Sequence, residues 1–216
     1  MKLQFDFLKL SEDWHYNKYE DPKDELKYLD SVALNDHTLD LVERISKSPY
    51  EHGAQKRIHI GDTAVKVNNA NINERSVCMR NVGYTENNYF IEFNNDILPD
   101  IADLMKEKYN LSYEHSCAII IPPGQCMPVH GDTYSYLMRY MASDFSEIKY
   151  DLKKDVRRYL MFLTDWEWGQ SIGAGNVLKW QWKKGDIFKW DHKLLHWSSN
   201  AGMKPVVFFE ITGLEI

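Results

Sequence analysis

The chain predicts a mainly β protein with flanking helices, its second half forming an antiparallel sandwich or barrel. Short segments rich in Val, Ile, Phe, Trp and Tyr recur from Ser116 onward, and turn residues separate them. No helical stretch between them is long enough for the crossover that a parallel sheet requires. The hydrophobic share of 44% and aromatic share of 13% in 216 residues suffice for a sizeable core.

Residues 1 to 75 are polar, and Glu20-Asp21-Pro22-Lys23-Asp24-Glu25 reads as irregular surface or a short helix. Leu39, Val42 and Ile45 recur at helical spacing, which predicts an amphipathic helix over 37 to 47, stopped at Ser48-Pro49. Short strands are expected at Arg57 to Ile60, Ala64 to Val67 and Tyr89 to Phe93. A second helix follows Asn95-Asp96, where Ile97, Ile101, Leu104, Met105 and Tyr109 line one side and Pro99 is tolerated in the first turn. It is expected to cover the back of a sheet.

Beyond that helix the period becomes strand-like: Ser116 to Ile121, Val156 to Leu163, Asn176 to Trp182, Asp186 to Trp190 and Pro205 to Thr212. Pro122-Pro123-Gly124, Gly173-Ala174-Gly175, Lys184-Gly185-Asp186 and Asn200-Ala201-Gly202 read as the turns between them. Trp180 and Trp182, two apart, read as core or an inner sheet face. No repeat, low-complexity tract or linker divides the chain. It is expected to form a single domain, 1 to 216, in which a mixed α/β portion, 1 to 112, frames a core, 113 to 216.

A net charge of −6 argues against a nucleic-acid partner, because phosphate contacts need clustered cations. Lys153, Lys154, Arg157 and Arg158 do cluster, but they read as a solvated loop entering a strand, Arg158 excepted. Three cysteines, Cys78, Cys117 and Cys126, show neither CxxC spacing nor disulfide density, so a reducing cytoplasmic setting is expected. The start of the chain lacks a signal-peptide pattern, and no apolar run is long enough to span a membrane.

The most informative motif is His130-Gly131-Asp132, followed at a distance by His196. In an extended segment, residues i and i+2 project from the same face, so His130 and Asp132 can enter one cavity together. A histidine from another strand would complete a set of two imidazoles and one carboxylate. Such a set holds a ferrous ion and leaves coordination positions open. His192 competes with His196, but Lys193 stands where a helical zinc motif would carry its glutamate. The expected metal ligands, and hence the catalytic centre, are His130, Asp132 and His196.

Residues 113 to 216 resemble the double-stranded β-helix (jelly-roll, cupin-like) core of the 2-oxoglutarate and Fe(II)-dependent dioxygenases. The likeness is to the prolyl hydroxylase and aspartyl/asparaginyl β-hydroxylase branches, including small bacterial and phage-type members. It rests on Pro123-Gly124 before His130-x-Asp132, on Arg158-Tyr159-Leu160-Met161-Phe162-Leu163 leading to Trp166, and on Gly185-Asp186, His196 and Lys204 in that order. The resemblance implies Fe(II), 2-oxoglutarate and O₂, and a hydroxylase that releases succinate and CO₂. The substrate it implies is an amino acid or a peptidyl side chain.

The resemblance also implies a basic residue beyond the distal histidine that binds the far carboxylate of 2-oxoglutarate. Lys204 is nearest, although it offers a point charge where arginine offers a fork. Arg158 is the other candidate. It alternates with Leu160 and Phe162, whereas Arg157 alternates with Tyr159, Met161 and Leu163, so both faces are apolar and the sequence leaves open which arginine enters the barrel. Tyr134, Tyr136, Tyr159 and Thr212 are hydroxyl candidates for the same acid. Two competing readings stand beside this one: a cupin-like Zn or Mn enzyme of hydrolytic, isomerase or lyase type, and a catalytically silent jelly roll that binds through its tryptophans.

Overall fold

A computed structural model describes residues 26–58, 83–85, 87–93, 96–130, 137, 155–175, 177–191 and 194–215. Strands of the first half are β1 (Lys27–Ser31), β2 (Gln55–Ile58) and β3 (Tyr89–Phe93), and its helices are α1 (Asp36–Lys47) and α2 (Pro99–Lys108). Then follow β4 (Leu111–Ile121), β5 (Gln125–His130), β6 (Val156–Phe162), β7 (Gln170–Ala174), β8 (Val177–Lys179), β9 (Asp186–Asp191), β10 (His196–Asn200) and β11 (Val206–Glu215).

Among the described residues these strands form two antiparallel sheets. The larger runs β1-β9-β6-β11-β4-β3-β2 and the smaller β5-β10-β7-β8. From β4 onward the chain passes repeatedly from one sheet to the other: β4 large, β5 small, β6 large, β7 and β8 small, β9 large, β10 small, β11 large. That winding is a double-stranded β-helix, the jelly-roll architecture. β1, β2 and β3, from the first half of the chain, extend the sheet that holds β4.

Strand alternation divides the core in two. On the outer face of the large sheet, Tyr159, Met161, Val207, Phe209 and Ile211 pack with Val42 and Ile45 of α1 and Ile101 and Met105 of α2. On the inner face, Leu160, Phe162, Val206, Phe208 and Phe188 meet Met127, Ile172 and Ala174 of the small sheet. Both faces of β11 are therefore covered, which is why Val206 through Leu214 are all buried. Helix α1 starts where the Asn35 side chain accepts the Thr38 N–H at 2.8 Å, and α2 starts on Pro99. The second helix does lie on the back of the sheet, as its pattern predicts.

Three local expectations change. Gly173 and Ala174 belong to β7 and are not part of a turn; a Cβ on Gly173 would stand 2.3 Å from Nε1 of Trp197, so glycine lets that indole lie across the strand. Asn200 ends β10 and supplies the turn with its side chain, donating to the carbonyls of Ile121 and Lys204 and accepting the Gly202 N–H. Trp180 and Trp182 do not share a face. Gln181 adopts φ 60°, which breaks the alternation: Trp182 is buried and stacks on Phe162 with ring centroids 4.0 Å apart, while Trp180 is exposed. Strand β1 was not expected, because Lys27-Tyr28-Leu29-Asp30-Ser31 has no apolar alternation; it is an edge strand held on β9. The segment Ala64 to Val67 lies outside the described residues. No helix among those described is long and apolar enough to cross a membrane.

Gly185 turns the chain into β9 at φ 90°, with its N–H donating to Phe162 and its carbonyl accepting from Val32. A Cβ there would lie 2.0 Å from the Val32 carbonyl oxygen, which is backbone and has little freedom to yield. Gly185→Ala is expected to destabilise the fold by about 2 kcal/mol or more, through strain and collision together, measurable as a lowered urea midpoint.

Candidate active site

The antiparallel pairing of β5 with β10 sets His130 directly opposite His196. Their ring centroids are 4.2 Å apart at an interplanar angle of 52°. A register shift between His196 and Ser198 locally breaks the ladder at this point, the kind of irregularity that re-aims side chains near sites. Each imidazole is held by the same device. Nδ1 of His130 lies 2.8 Å from the Pro128 carbonyl, and Nδ1 of His196 lies 2.9 Å from the Leu194 carbonyl. A carbonyl oxygen can only accept, so both Nδ1 atoms donate, and Nε2 is the nitrogen of each ring that could bind a metal. Two imidazoles held in that orientation suit a divalent transition metal.

The inner face of the large sheet supplies the opposite wall in cross-strand rows. His115 on β4 faces Thr212 on β11, Thr212 faces Arg158 on β6, and Arg158 faces Trp190 on β9. The next row holds Cys117, Glu210, Leu160 and Phe188; the one after, Ile119, Phe208 and Phe162. Polarity thus falls along the barrel from the end nearest His130 toward an apolar floor. A cavity of about 270 Å³ opens at the polar end, lined by His130, His115, Arg158, Glu210, Thr212 and Glu92 together with apolar neighbours that include Phe90 and Met127.

Charge inside it is balanced pairwise. Arg158 donates from Nη1 to Glu210 at 2.6 Å and from Nε to Thr212 Oγ1 at 3.0 Å. Glu92 accepts from Nε of Arg57 at 2.8 Å at the cavity's side. Glu210 is 8% and Arg158 15% exposed at the side chain, so each charge relies on the other for solvation that water no longer supplies. Burial first, and the Arg158 cation second, hold the His115 imidazole below its ordinary pKa of 6.5, against a smaller opposing pull from Glu92.

Arg158 is therefore the arginine that enters the barrel, on the face it shares with Leu160 and Phe162. Arg157 emerges on the other face near Glu215, at 3.6 Å. Of the other expected residues, Thr212 lines the cavity and His196 stands against His130 without being among the residues that line it, whereas Tyr159 and Lys204 do not reach it. Tyr159 is buried under the helices, stacked on Tyr109 with centroids 4.3 Å apart and donating to Glu215 at 2.7 Å, and its phenol is pushed well above the ordinary range by burial and by that carboxylate. Lys204 stands on the surface, 75% exposed and paired with Glu167. Its placement follows from the turn that Asn200 builds, which directs the segment before β11 outward. Asp132, Tyr134, Tyr136 and His192 lie outside the described residues, and among those described no three His, Cys, Asp or Glu side chains converge on one point.

Glu210 and His115 were missed by sequence reading. Glu210 carried a usable signal: a lone carboxylate within Val206-Val207-Phe208-Phe209-Glu210-Ile211 needs a buried cation, and Arg158 in another apolar strand needs a buried anion.

No family model and no curated protein matches the chain. Solved structures do. A viral collagen prolyl hydroxylase from Paramecium bursaria Chlorella virus 1, in complex with 2OG, is 13% identical over 89% of this chain and 96% of its own, with a TM-score of 0.47. A predicted oxalate decarboxylase from Thermotoga maritima is 11% identical over 58% of this chain and 81% of its own, with a TM-score of 0.36. The Schizosaccharomyces pombe Cnp3 cupin domain is 12% identical with a TM-score of 0.32, and the chain spans little more than half its length, 56%. Likeness at this level carries no functional argument; the jelly-roll assignment rests on the strand order.

The depressed His115 pKa has a consequence for stability. Folding disfavours the protonated imidazole, so the unfolded chain binds the proton more readily. Its contribution is fully present above the unfolded value near 6.5 and is lost as pH falls below it. In urea titrations from about pH 7 to pH 5, His115→Gln is expected to flatten the pH dependence relative to the parent chain.

Proposed function

We propose that the protein is a non-haem Fe(II) and 2-oxoglutarate-dependent dioxygenase that hydroxylates an amino acid or a peptidyl side chain. The observation that supports it best is the pair of facing imidazoles, His130 and His196, each held at Nδ1 by a backbone carbonyl in a jelly-roll barrel. On this reading they hold the metal together with Asp132, which follows His130 at the i+2 position. Bound there, Fe(II) and 2-oxoglutarate supply the oxidation of a C–H bond by O₂ with release of succinate and CO₂.

The chain's own residues have distinct tasks in this scheme. The carbonyls of Pro128 and Leu194 accept from Nδ1 of the two histidines and orient each ring so that Nε2 would be its metal-binding atom. Arg158, steadied by Glu210 and Thr212, is the cation that orients a carboxylate reaching across the cavity. Phe90, Ile119 and Met127 shield the site from water. A volume of about 270 Å³ suits a small acid beside one inserted side chain better than a bulky ligand.

Incubation with Fe(II), 2-oxoglutarate and a panel of amino acids and peptides is expected to yield succinate under air. His130→Ala or His196→Ala is expected to weaken metal retention about a hundredfold or more and to abolish succinate formation. Metal retention with no succinate from any mixture would instead favour a Zn or Mn enzyme of hydrolytic, isomerase or lyase type. Arg158→Met is expected to raise the KM for 2-oxoglutarate by about a hundredfold, whereas Lys204→Ala leaves it within about twofold, because an exposed ion pair contributes little. Steady-state kinetics on both variants decides between the two cations.

A further inference from the structure

Trp190 is 2% exposed, and its indole N–H has no hydrogen-bond partner among the described residues. Buried N–H donors are ordinarily paired, because an unmade bond costs about 1–3 kcal/mol. Its place in the barrel is specific. Trp190 is the cross-strand neighbour of Arg158 on the inner face of the large sheet, and its ring lies against His196 of the small sheet with centroids 5.1 Å apart. It thus stands between the cation that would receive a carboxylate and an imidazole that would hold the metal, next to Arg158 but just behind the residues that line the cavity. The Ser198 hydroxyl, two residues beyond His196 on the inward side of β10, is likewise buried without a partner. Unmet hydrogen-bonding capacity is therefore found on both sheets beside the same histidine.

We infer that the Trp190 N–H is a ligand-binding donor that completes its hydrogen bond on a carboxylate oxygen of the bound acid. This inference rests on the dioxygenase reading above. A neutral donor has a clear advantage at this position: Arg158 is already balanced by Glu210, and a second cation would upset that balance, whereas an indole adds direction without charge. It also distinguishes packing from recognition. If Trp190 served only to fill the barrel, a phenyl ring in its place would cost stability and leave ligand affinity untouched.

The test uses the full chain loaded with Zn(II), which is redox-silent, and 2-oxoglutarate as probe. In ¹H–¹⁵N spectra the Trp190 indole signal is assigned by its absence in Trp190→Phe. Addition of 2-oxoglutarate to the parent chain is expected to move that signal downfield, and calorimetry is expected to give a Kd about tenfold weaker for Trp190→Phe, the loss of one hydrogen bond. Thermal denaturation of the variant tracks its folding separately, and the shift in the parent chain does not depend on the variant's stability. A parent chain that binds 2-oxoglutarate while its Trp190 signal stays in place overturns this inference and leaves the dioxygenase reading intact. A parent chain that retains Zn(II) and binds no 2-oxoglutarate overturns both.

Discussion

The pairing of β5 with β10 is the constraint on which the site depends. These strands are remote in sequence, and their register alone decides that His130 meets His196. A slip of one residue would turn one imidazole to the opposite face of the small sheet. The register is supported from both ends. Near the turn, Gly124 donates to the Asn200 carbonyl at 2.8 Å, and Asn200 in turn holds Ile121 and Lys204. At the open end, Gly175 donates to the Leu195 carbonyl at 2.8 Å, which anchors the approach to His196. The backbone therefore positions the two rings before any ligand takes part.

The large sheet contributes a gradient. Its inner face passes from His115, Thr212, Arg158 and Trp190 to Cys117 and Glu210 and then to Ile119, Phe208 and Phe162, one row at a time. The polar groups of the upper rows are met largely by one another, Arg158 by Glu210 and Thr212, and the apolar rows beneath supply the core that holds the sheets together. The Arg158–Glu210 pair sits at the transition. Such a pair need not add net stability, since desolvation offsets much of the Coulomb attraction. Its effect is positional: the guanidinium is held at one orientation on the cavity wall by Glu210 and Thr212.

Burial on both faces explains the strongest and weakest parts of the sequence pattern. β11 and β6 are covered inside by the small sheet and outside by α1 and α2, so their sequences read as continuous apolar runs and were legible as strands. β10 and β7 are short, and Gly173, Ser198, Ser199 and Asn200 look like turn residues; they are strands because a long-range ladder and the indole of Trp197 over Gly173 require it. β1 is polar and is recruited to an edge by β9. Propensity is a weak guide in those places because the tertiary partner decides.

What the sequence by itself determined is the class of fold, the two helices, the strand carrying Arg158 and the candidacy of His130 and His196. Those features follow from local periodicity, turn chemistry and residue type, all of which act over a few neighbouring positions. Only the tertiary structure decided that the two histidines stand face to face, that Arg158 and not Arg157 turns inward, that Lys204 and Tyr159 lie away from the cavity, and that Glu210 balances the arginine. Each of those depends on which strands pair and in what register, and that is set by contacts between residues far apart in the chain, where local sequence carries no record of the partner.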